Sequence, residues 1–192
     1  MKGKRIGFAM TGSFCTFQEI MTPLRELVAA GAEVQPIMSE TAYNQTTRFG
    51  DAASWHQALT AITGKNIIHS ITEAEPIGPN RLFDLIIVAP CTGNTIAKLA
   101  NAITDTAVTM LVKAHLRNGR PVLLFISTND GLGLNAKNIG LLLAAHNVFF
   151  VPFGQDDPHG KPTSLVADSK LLVEAARHAL VGKQLQPVLI QR

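Results

Sequence analysis

LFDLIIVA, at residues 82–89, is the strongest strand signal in the sequence, because every side chain in it except that of Asp84 is apolar. A strand with one face in water alternates apolar and polar side chains, whereas a strand covered on both faces is apolar throughout. The sequence therefore predicts that residues 82–89 form a central strand of a parallel sheet.

Similar apolar runs alternate with helical patterns on both sides of this segment. Further strands are predicted at residues 5–10, 33–38, 66–68, 121–127 and 147–151. Helices are predicted at residues 16–30, 54–62, 92–102, 107–116 and 136–145, followed by a last helix that Asp168 caps and Gly182 ends. Strands that alternate with helices form right-handed crossovers, so we expect an α/β three-layer sandwich in which helices cover both faces of a central parallel sheet.

The first predicted helix contains Pro23, which lacks a backbone N–H. The sequence leaves two interpretations open here: a kink at Pro23, or a helix proper that begins at residues 22–23. Gly31 is predicted to cap the end of this helix. Residues 39–47, after the second strand, are predicted to form a polar loop.

The composition limits the class of protein. Of the 192 residues, 46% are hydrophobic and 16% charged, which excludes intrinsic disorder and a coiled coil. The length predicts one domain, residues 1–182, and a C-terminal tail, residues 183–192. The formal charge is +3 without any cluster of Lys and Arg, so no nucleic-acid binding is expected. The first apolar run is too short for a signal peptide or membrane span and only two cysteines occur, so we expect a cytoplasmic protein.

Hydroxyl- and glycine-rich loops follow three of the predicted strands. They are residues 11–16 (TGSFCT), 39–41 (SET) and 90–95 (PCTGNT). Ligands of open parallel sheets bind at the carboxyl ends of the strands, so these loops are expected to meet at one edge. Each loop alone has the composition of an ordinary helix cap. Three of them together favour a phosphorylated, polyhydroxylated ligand held by hydroxyls and backbone N–H groups.

Several catalytic motifs are absent. The sequence has no GxxxxGK[ST] phosphate loop, no GxGxxG after the first strand, no GxSxG elbow and no HExxH. The histidines and cysteines show no ligand spacing, so no metal site is predicted. No general acid or base is identified, and the catalytic residues stay unknown.

Residues 89–105 read APCTGNTIAKLANAITD and resemble the signature APxSANTxxKxAxGxADNLL of the flavin-containing cysteine decarboxylase superfamily. The loop at residues 11–13 is similar to the first flavin-phosphate loop of that family, and residues 90–92 are similar to the flavin prenyltransferases. The resemblance extends from Lys4 to about Leu180.

The resemblance implies a Rossmann-like (flavodoxin-like) fold that binds FMN within a homo-oligomer, or that holds a phosphate ion in the same place. It assigns the first loop to the flavin phosphate, the second loop to a position beside it, and the third to the ribityl chain or ring. The cofactor-binding residues it implies are Gly12, Ser13, Phe14, Ser39, Thr41, Pro90, Cys91, Thr92, Asn94 and Thr95.

The chain departs from the cysteine decarboxylases at two of their motifs. Residues 127–135, STNDGLGLN, stand where the decarboxylases carry PxMNxxMW. Residues 75–79, EPIGP, stand where those enzymes place a catalytic histidine, and His69 is the nearest candidate. Cysteine decarboxylation is therefore not expected, and Gly93 is interpreted as leaving space for a different ligand.

The whole sequence also resembles the flavoprotein-like component of a bacterial sporulation enzyme that forms pyridine-2,6-dicarboxylate. This implies oxidation or dehydration of dihydrodipicolinate or its hydrated precursor, with a nicotinamide-binding dehydrogenase as the partner protein. A dicarboxylate favours a cationic site, to which Lys98, Lys113, Arg117 and Lys137 are candidate contributors. Two alternatives stay open: a non-catalytic partner protein that retains only a phosphate pocket, and a flavin prenyltransferase-like enzyme.

A few other residues have two interpretations each. Trp55 and Phe49 stack on a flavin ring or pack in the core. Cys91, at a helix N-terminus, is a reactive thiol or a small packing residue. The polar loop at residues 154–162, with His159, is a lid over the site or a simple linker.

Overall fold

A five-stranded parallel sheet forms the centre of the protein, which a computed structural model describes over residues 1–191. Its strands are β1 (Arg5–Met10), β2 (Glu33–Met38), β3 (Leu85–Cys91), β4 (Val122–Thr128) and β5 (Val148–Phe150). Neighbouring strands pair in the order β2-β1-β3-β4-β5. This is the flavodoxin-like order, so the predicted α/β Rossmann-like fold with a central parallel sheet is confirmed.

Helices connect the strands and cover both faces of the sheet. They are α1 (Phe17–Ala29), α2 (Glu40–Asn44), α3 (Ala52–Thr63), α4 (Ile71–Ala74), α5 (Gly93–Ala100), α6 (Ala107–Arg117), α7 (Ala136–Leu143) and α8 (Leu172–Leu180). The crossovers β1-α1-β2 and β3-α6-β4 run in opposite directions along the sheet. Since both are right-handed, α1 and α6 lie on opposite faces.

The central strand β3 is buried at every residue. It begins three residues later than predicted, because Asp84 accepts a hydrogen bond from the backbone N–H of Arg5 (2.9 Å) at the strand's entrance. It also continues past the predicted end to Cys91, with a shift in its pairing to β4 between Val88 and Cys91.

Helix α1 continues through Pro23, so the interpretation that it begins at residues 22–23 is wrong. Its buried face, which includes Phe17, Leu24 and Pro23 itself, packs on the core and stabilises a helix that has lost one backbone hydrogen bond. Gly31 follows with a φ of +84°, the left-handed conformation expected of a helix cap.

Two other local predictions are wrong. The polar loop predicted at residues 39–47 contains the short helix α2, whose first turn is capped by the Ser39 hydroxyl. The strand predicted at residues 66–68 is a single parallel bridge between Ile68 and Ile37. Both segments are short, and neither has a periodic apolar pattern that would reveal its structure.

Two short strands that were not predicted extend the sheet. They are β6 (Phe153–Gly154) and β7 (Leu165–Ala167), which pair antiparallel with each other, while β7 pairs antiparallel with the end of β4. The polar loop 155–164 connects them. This return of the chain places that loop at the carboxyl edge of the parallel sheet.

The last residues pack beside β6. Phe153 donates its backbone N–H to the Val188 carbonyl and accepts from the Ile190 N–H, both at 3.0 Å. Asp168 caps a single 3-10 turn that leads into α8, and Gly182 follows that helix with a φ of +71°. Arg192, in the predicted tail, lies outside the described residues. Over residues 1–191, no helix is long and apolar enough to cross a bilayer.

Candidate functional site

Thr11 joins the carboxyl ends of β1 and β3. Its hydroxyl donates to the Pro90 carbonyl (2.8 Å) and accepts from the Thr92 backbone N–H (3.0 Å). Its own backbone N–H also reaches the Pro90 carbonyl, at 3.2 Å. Thr11 is almost fully buried, so these bonds hold the loops after the two strands at a fixed spacing.

A cluster of three hydroxyls joins the first loop to the end of β4. The Ser127 Oγ lies 2.7 Å from both the Ser13 Oγ and the Thr16 Oγ1, and these last two atoms are 3.4 Å apart. Each hydroxyl has one proton to donate, so the cluster can redirect a donor toward a ligand without breaking every internal bond.

The ends of β1, β3 and β4 enclose a cavity of about 570 Å³, closed on one side by the β6–β7 loop. This volume is within the range of about 300–1,000 Å³ that small-molecule sites occupy. The lining residues are Gly12, Ser13, Cys15, Thr16, Glu19, Thr92, Gly93, Ser127, Thr128, Asn129, Asp156, Lys161 and Val166.

Three of the ten predicted cofactor residues line this cavity: Gly12, Ser13 and Thr92. Thr41 stands next to Gly12, since a Cβ added to that glycine would lie 3.5 Å from the Thr41 methyl group. Phe14 lies on the same loop and packs its ring against Phe17, with a centroid distance of 5.1 Å.

The other predicted cofactor residues shape the walls from behind. Ser39 is buried and caps α2, while Pro90 supplies the carbonyl that Thr11 binds. Thr95 is bonded to the Thr92 hydroxyl through both its backbone N–H (3.3 Å) and its side chain (3.2 Å). Asn94 is exposed on the first turn of α5.

Cys91 is fully buried behind the cavity, and burial raises the pKa of its thiol far above the ordinary value. The interpretation of Cys91 as a reactive thiol at a helix N-terminus is therefore wrong, since desolvation outweighs the helix dipole. The exposed cysteine is Cys15, whose Sγ lies within 4.0 Å of the Ser13 Oγ at the cavity.

Sequence reasoning missed the residues that close the cavity on the β4 side. Ser127, Thr128 and Asn129 directly follow a predicted strand, so the rule that ligands bind at strand ends would have found them. Asp156 and Lys161 lie in the loop that was interpreted as a lid or a linker. No local pattern places that loop here, because its position depends on the pairing of β7 with β4.

The space beside Gly93 is filled. A Cβ added to Gly93 would lie 2.6 Å from the Thr128 Oγ1 and 2.8 Å from the Asn135 Nδ2. Gly93 therefore permits close packing of α5 against the end of β4, and the interpretation that it leaves space for a ligand is wrong.

The cationic candidates of the sequence lie away from the cavity. Lys98 forms an ion pair with Asp105 at 2.8 Å, and Lys113 and Arg117 line a separate depression on α6. Lys137 is exposed on α7 and does not line the cavity. Among the lining residues of 1–191, the single cation is Lys161, which faces Asp156 with an Nζ–Oδ2 distance of 3.5 Å.

The aromatic and histidine candidates also lie elsewhere. Trp55 is buried and meets Phe17 edge-on at 5.4 Å, so it packs in the core, whereas Phe49 is 44% exposed. His69 stacks on Tyr43 at 3.8 Å outside the cavity. His159 is exposed in the β6–β7 loop and does not line the cavity.

The donors at the first loop and at α5 fit a phosphate group. Within residues 1–191, the backbone N–H of Gly12 has no acceptor, and the first N–H groups of α5, at Gly93 and Asn94, have none inside the helix. The Ser13 hydroxyl lies beside them. Uncharged donors at a helix N-terminus are the usual ligands of protein-bound phosphate. The described residues contain no cluster of side chains that could hold a metal ion.

A family model described as Flavoprotein matches residues 1–168. The chain belongs to the Flavoprotein family. The matched segment includes every strand described above and all the residues that line the cavity of this flavoprotein.

Two relatives match the flavoprotein along its whole length, and both are the B-type component of dipicolinate synthase. The protein of Bacillus subtilis (strain 168) is 49% identical over 191 residues, which are 100% of this chain and 96% of the relative. The crystal structure of the protein from Bacillus halodurans C is 47% identical with a TM-score of 0.92, covering 100% of this chain and 98% of that chain.

More distant structures share the fold of the flavoprotein. The FMN-dependent cysteine decarboxylase SpaF has a TM-score of 0.64 at 18% identity, and the match covers 91% of this chain and 98% of that chain. Identity this low relates the two proteins by architecture alone, so the chemistry has to be argued from the residues of this chain.

Proposed function

We propose that this chain is the flavoprotein-like component of a dipicolinate synthase and that it binds FMN in the cavity between β1, β3 and β4. It acts with the A-type component of that synthase, a nicotinamide-binding dehydrogenase, and forms a homo-oligomer in the cytoplasm of a sporulating cell. Its substrate is dihydrodipicolinate or the hydrated precursor, and the product is pyridine-2,6-dicarboxylate. The observation that supports this most is the 49% identity to the B-type component of a dipicolinate synthase over the full chain.

The first loop and α5 are proposed to bind the phosphate of FMN. The Gly12 backbone N–H, the Ser13 hydroxyl and the first turn of α5 supply donors, and Thr92 fixes that turn by capping it. The residues proposed around these donors are Phe14, Ser39, Thr41, Pro90, Cys91, Asn94 and Thr95. When bound, the flavin supplies a group that accepts a hydride.

The chain itself positions the reactants and excludes water. The hydroxyls of Ser13, Thr16 and Ser127 form a fixed polar wall, since each is bonded to another. The β6–β7 loop covers the opposite side of the cavity. A wall held in this way binds a polar ligand with little further loss of conformational entropy.

A second candidate function is a non-catalytic protein that keeps the phosphate pocket and activates the partner dehydrogenase. One observation favours it: within residues 1–191, no aromatic side chain lines the cavity to stack on a flavin ring. A prenyltransferase-like activity has less support, because the lining is mostly polar and offers little surface to a prenyl chain.

Flavin binding tests the proposal against this second candidate. The purified protein is incubated with FMN and, as a matched control, with riboflavin, which has the same ring without the phosphate. We expect FMN to co-elute in gel filtration as a visible absorbance band and to raise the melting temperature, and riboflavin to do neither. Absence of both effects with excess FMN would contradict flavin binding and favour the non-catalytic role.

Product formation tests the proposed reaction. Pyridine-2,6-dicarboxylate is measured with this protein alone, with the partner dehydrogenase alone and with both together. We expect a rate with both that clearly exceeds the sum of the separate rates. An unchanged rate on adding this protein would overturn its proposed role in the synthase.

A further inference from the structure

The β6–β7 loop, residues 155–164, is attached to the segment that follows β4. The Leu132 backbone N–H donates to the Thr163 carbonyl at 2.9 Å, and the Thr163 hydroxyl donates to the Asn129 carbonyl at 2.6 Å. The pairing of β7 with the end of β4 continues the same contact. The two segments therefore form one continuous wall of the cavity.

The backbone around Lys161 is held by bonds within the loop. Asp157 accepts from the Gly160 N–H through its side chain and from the Lys161 N–H through its carbonyl, both at 2.8 Å. The Gln155 side-chain amide donates to the Pro162 carbonyl, also at 2.8 Å. The base of the Lys161 side chain is thus fixed at the cavity, while the side chain itself is 54% exposed.

Lys161 has a weak resting partner. Its ammonium group lies 3.5 Å from the Asp156 carboxylate, which is 26% exposed. Burial raises the pKa of Asp156, but the neighbouring Ser164 hydroxyl, its own backbone N–H and the Lys161 ammonium lower it further, so the carboxylate is charged at neutral pH. A half-exposed pair at this distance is readily exchanged for a closer anion.

The two ends of the cavity differ in chemistry. The end formed by the first loop and α5 offers uncharged donors, whereas the end formed by the β4 segment and the β6–β7 loop offers an ammonium group and the Asn129 amide. A phosphate suits the former, and a carboxylate, which prefers a charged donor, suits the latter.

We propose that Lys161, together with Asn129, forms a carboxylate subsite that selects dicarboxylate ligands, with Asp156 as the partner that Lys161 leaves on binding. This inference rests on the proposed function for the nature of the ligand. It assigns the β6–β7 loop to substrate recognition and separates that role from the binding of FMN.

Binding of pyridine-2,6-dicarboxylate, measured by calorimetry in metal-free buffer, tests the subsite. We expect Lys161→Gln to weaken binding about ten- to a hundredfold, the effect of losing one charged hydrogen bond, and Lys161→Arg to keep most of it. Asp156→Asn should tighten binding, because it removes the competing carboxylate. Lys170→Gln, at an exposed lysine away from the cavity, is the matched control and should bind like the wild type.

A second probe separates the two anions. FMN affinity should be unchanged in Lys161→Gln, and pyridine-2-carboxylate, with one carboxylate, should bind more weakly than the dicarboxylate. The inference is overturned if the wild type does not bind the dicarboxylate, if Lys161→Gln binds it like the control, or if that variant loses FMN instead. Dicarboxylate binding that depends on Lys161, without product formation in the presence of the partner dehydrogenase, would support the subsite and contradict the proposed function.

Discussion

Serine and threonine hydroxyls make the contacts that bring three strand ends together. Thr11 bridges β1 and β3, and Ser127 bridges β4 to Ser13 and Thr16. The sequence shows hydroxyls in these loops, but their pairing across 79 to 114 positions of sequence is a tertiary property. Residue type alone therefore predicts a polar site, and the structure identifies its members.

His115 is a buried histidine that should make stability depend on pH. It is 4% exposed, and burial, followed by the nearby Arg120 cation, lowers its pKa to about 4. The unfolded chain takes up a proton near the ordinary pKa of about 6.5, whereas the folded protein does so only near 4. The contribution of neutral His115 is therefore fully present above pH 6.5 and is lost as the pH falls toward 4.

We expect the wild type to lose about 2 kcal/mol more of its unfolding free energy between pH 7 and pH 5 than His115→Gln does. Urea titrations at the two pH values measure this difference. His146→Gln, which replaces an exposed histidine, is the matched control. Equal pH dependence of the wild type and His115→Gln would contradict the prediction. If His115→Gln does not fold, His115→Leu serves the same comparison.

At the scale of elements, the N-terminus of α5 is positioned by a close approach to the end of β4. Thr92 caps the helix through the Thr95 N–H, and Gly93 lets Thr128 and Asn135 pack directly against the first turn. A strand-to-helix turn with small residues is visible in the sequence. The neighbour that requires the glycine is visible only in the structure.

Gly93→Ala should destabilise the protein by about 1–3 kcal/mol, because the added methyl group would overlap the Thr128 hydroxyl and the Asn135 amide. Gly140→Ala is the matched control: this glycine lies within α7, and nothing is within 4 Å of an added Cβ. The control should stabilise the protein by about 0.5–1 kcal/mol through helix propensity. Denaturant unfolding measures both, and equal effects of the two substitutions would contradict this account.

At the scale of the whole molecule, one cluster of buried side chains connects the two ends of the chain. It extends from Ile6 in β1 to Leu185 beyond α8. The Gln184 side chain adds hydrogen bonds to the backbone of Phe150, with its amide donating at 2.7 Å and its carbonyl accepting at 2.8 Å. Residues 184–185 of the predicted tail therefore take part in the same core.

A shared core predicts a single cooperative unfolding transition. Trp55, the one tryptophan of the sequence, reports on the packing of α3 against α1, and far-UV circular dichroism reports on all helices. We expect both signals to give the same urea midpoint and slope. Two separate midpoints would show that part of the chain unfolds independently and would contradict the shared core.

The strands β1 and β2 lie at their predicted residues, and β3 and β4 lie close to theirs, because a strand covered on both faces needs a continuous apolar run. Most helices are likewise within a few residues of their predicted bounds. The short elements α2, β6 and β7 were not predicted. Segments of two to five residues contain too little periodicity to signal their structure, and tertiary contacts decide them.

Local patterns of apolar and polar residues thus settled the α/β class, the parallel sheet and the edge at which a ligand site lies. Folding in three dimensions decided which loops form that site: the loop after β2 stands behind Gly12, while the end of β4 and the β6–β7 loop line the cavity. The physical reason is that periodicity acts between neighbours in sequence, whereas the antiparallel return of β7 onto β4 depends on residues far apart in the chain.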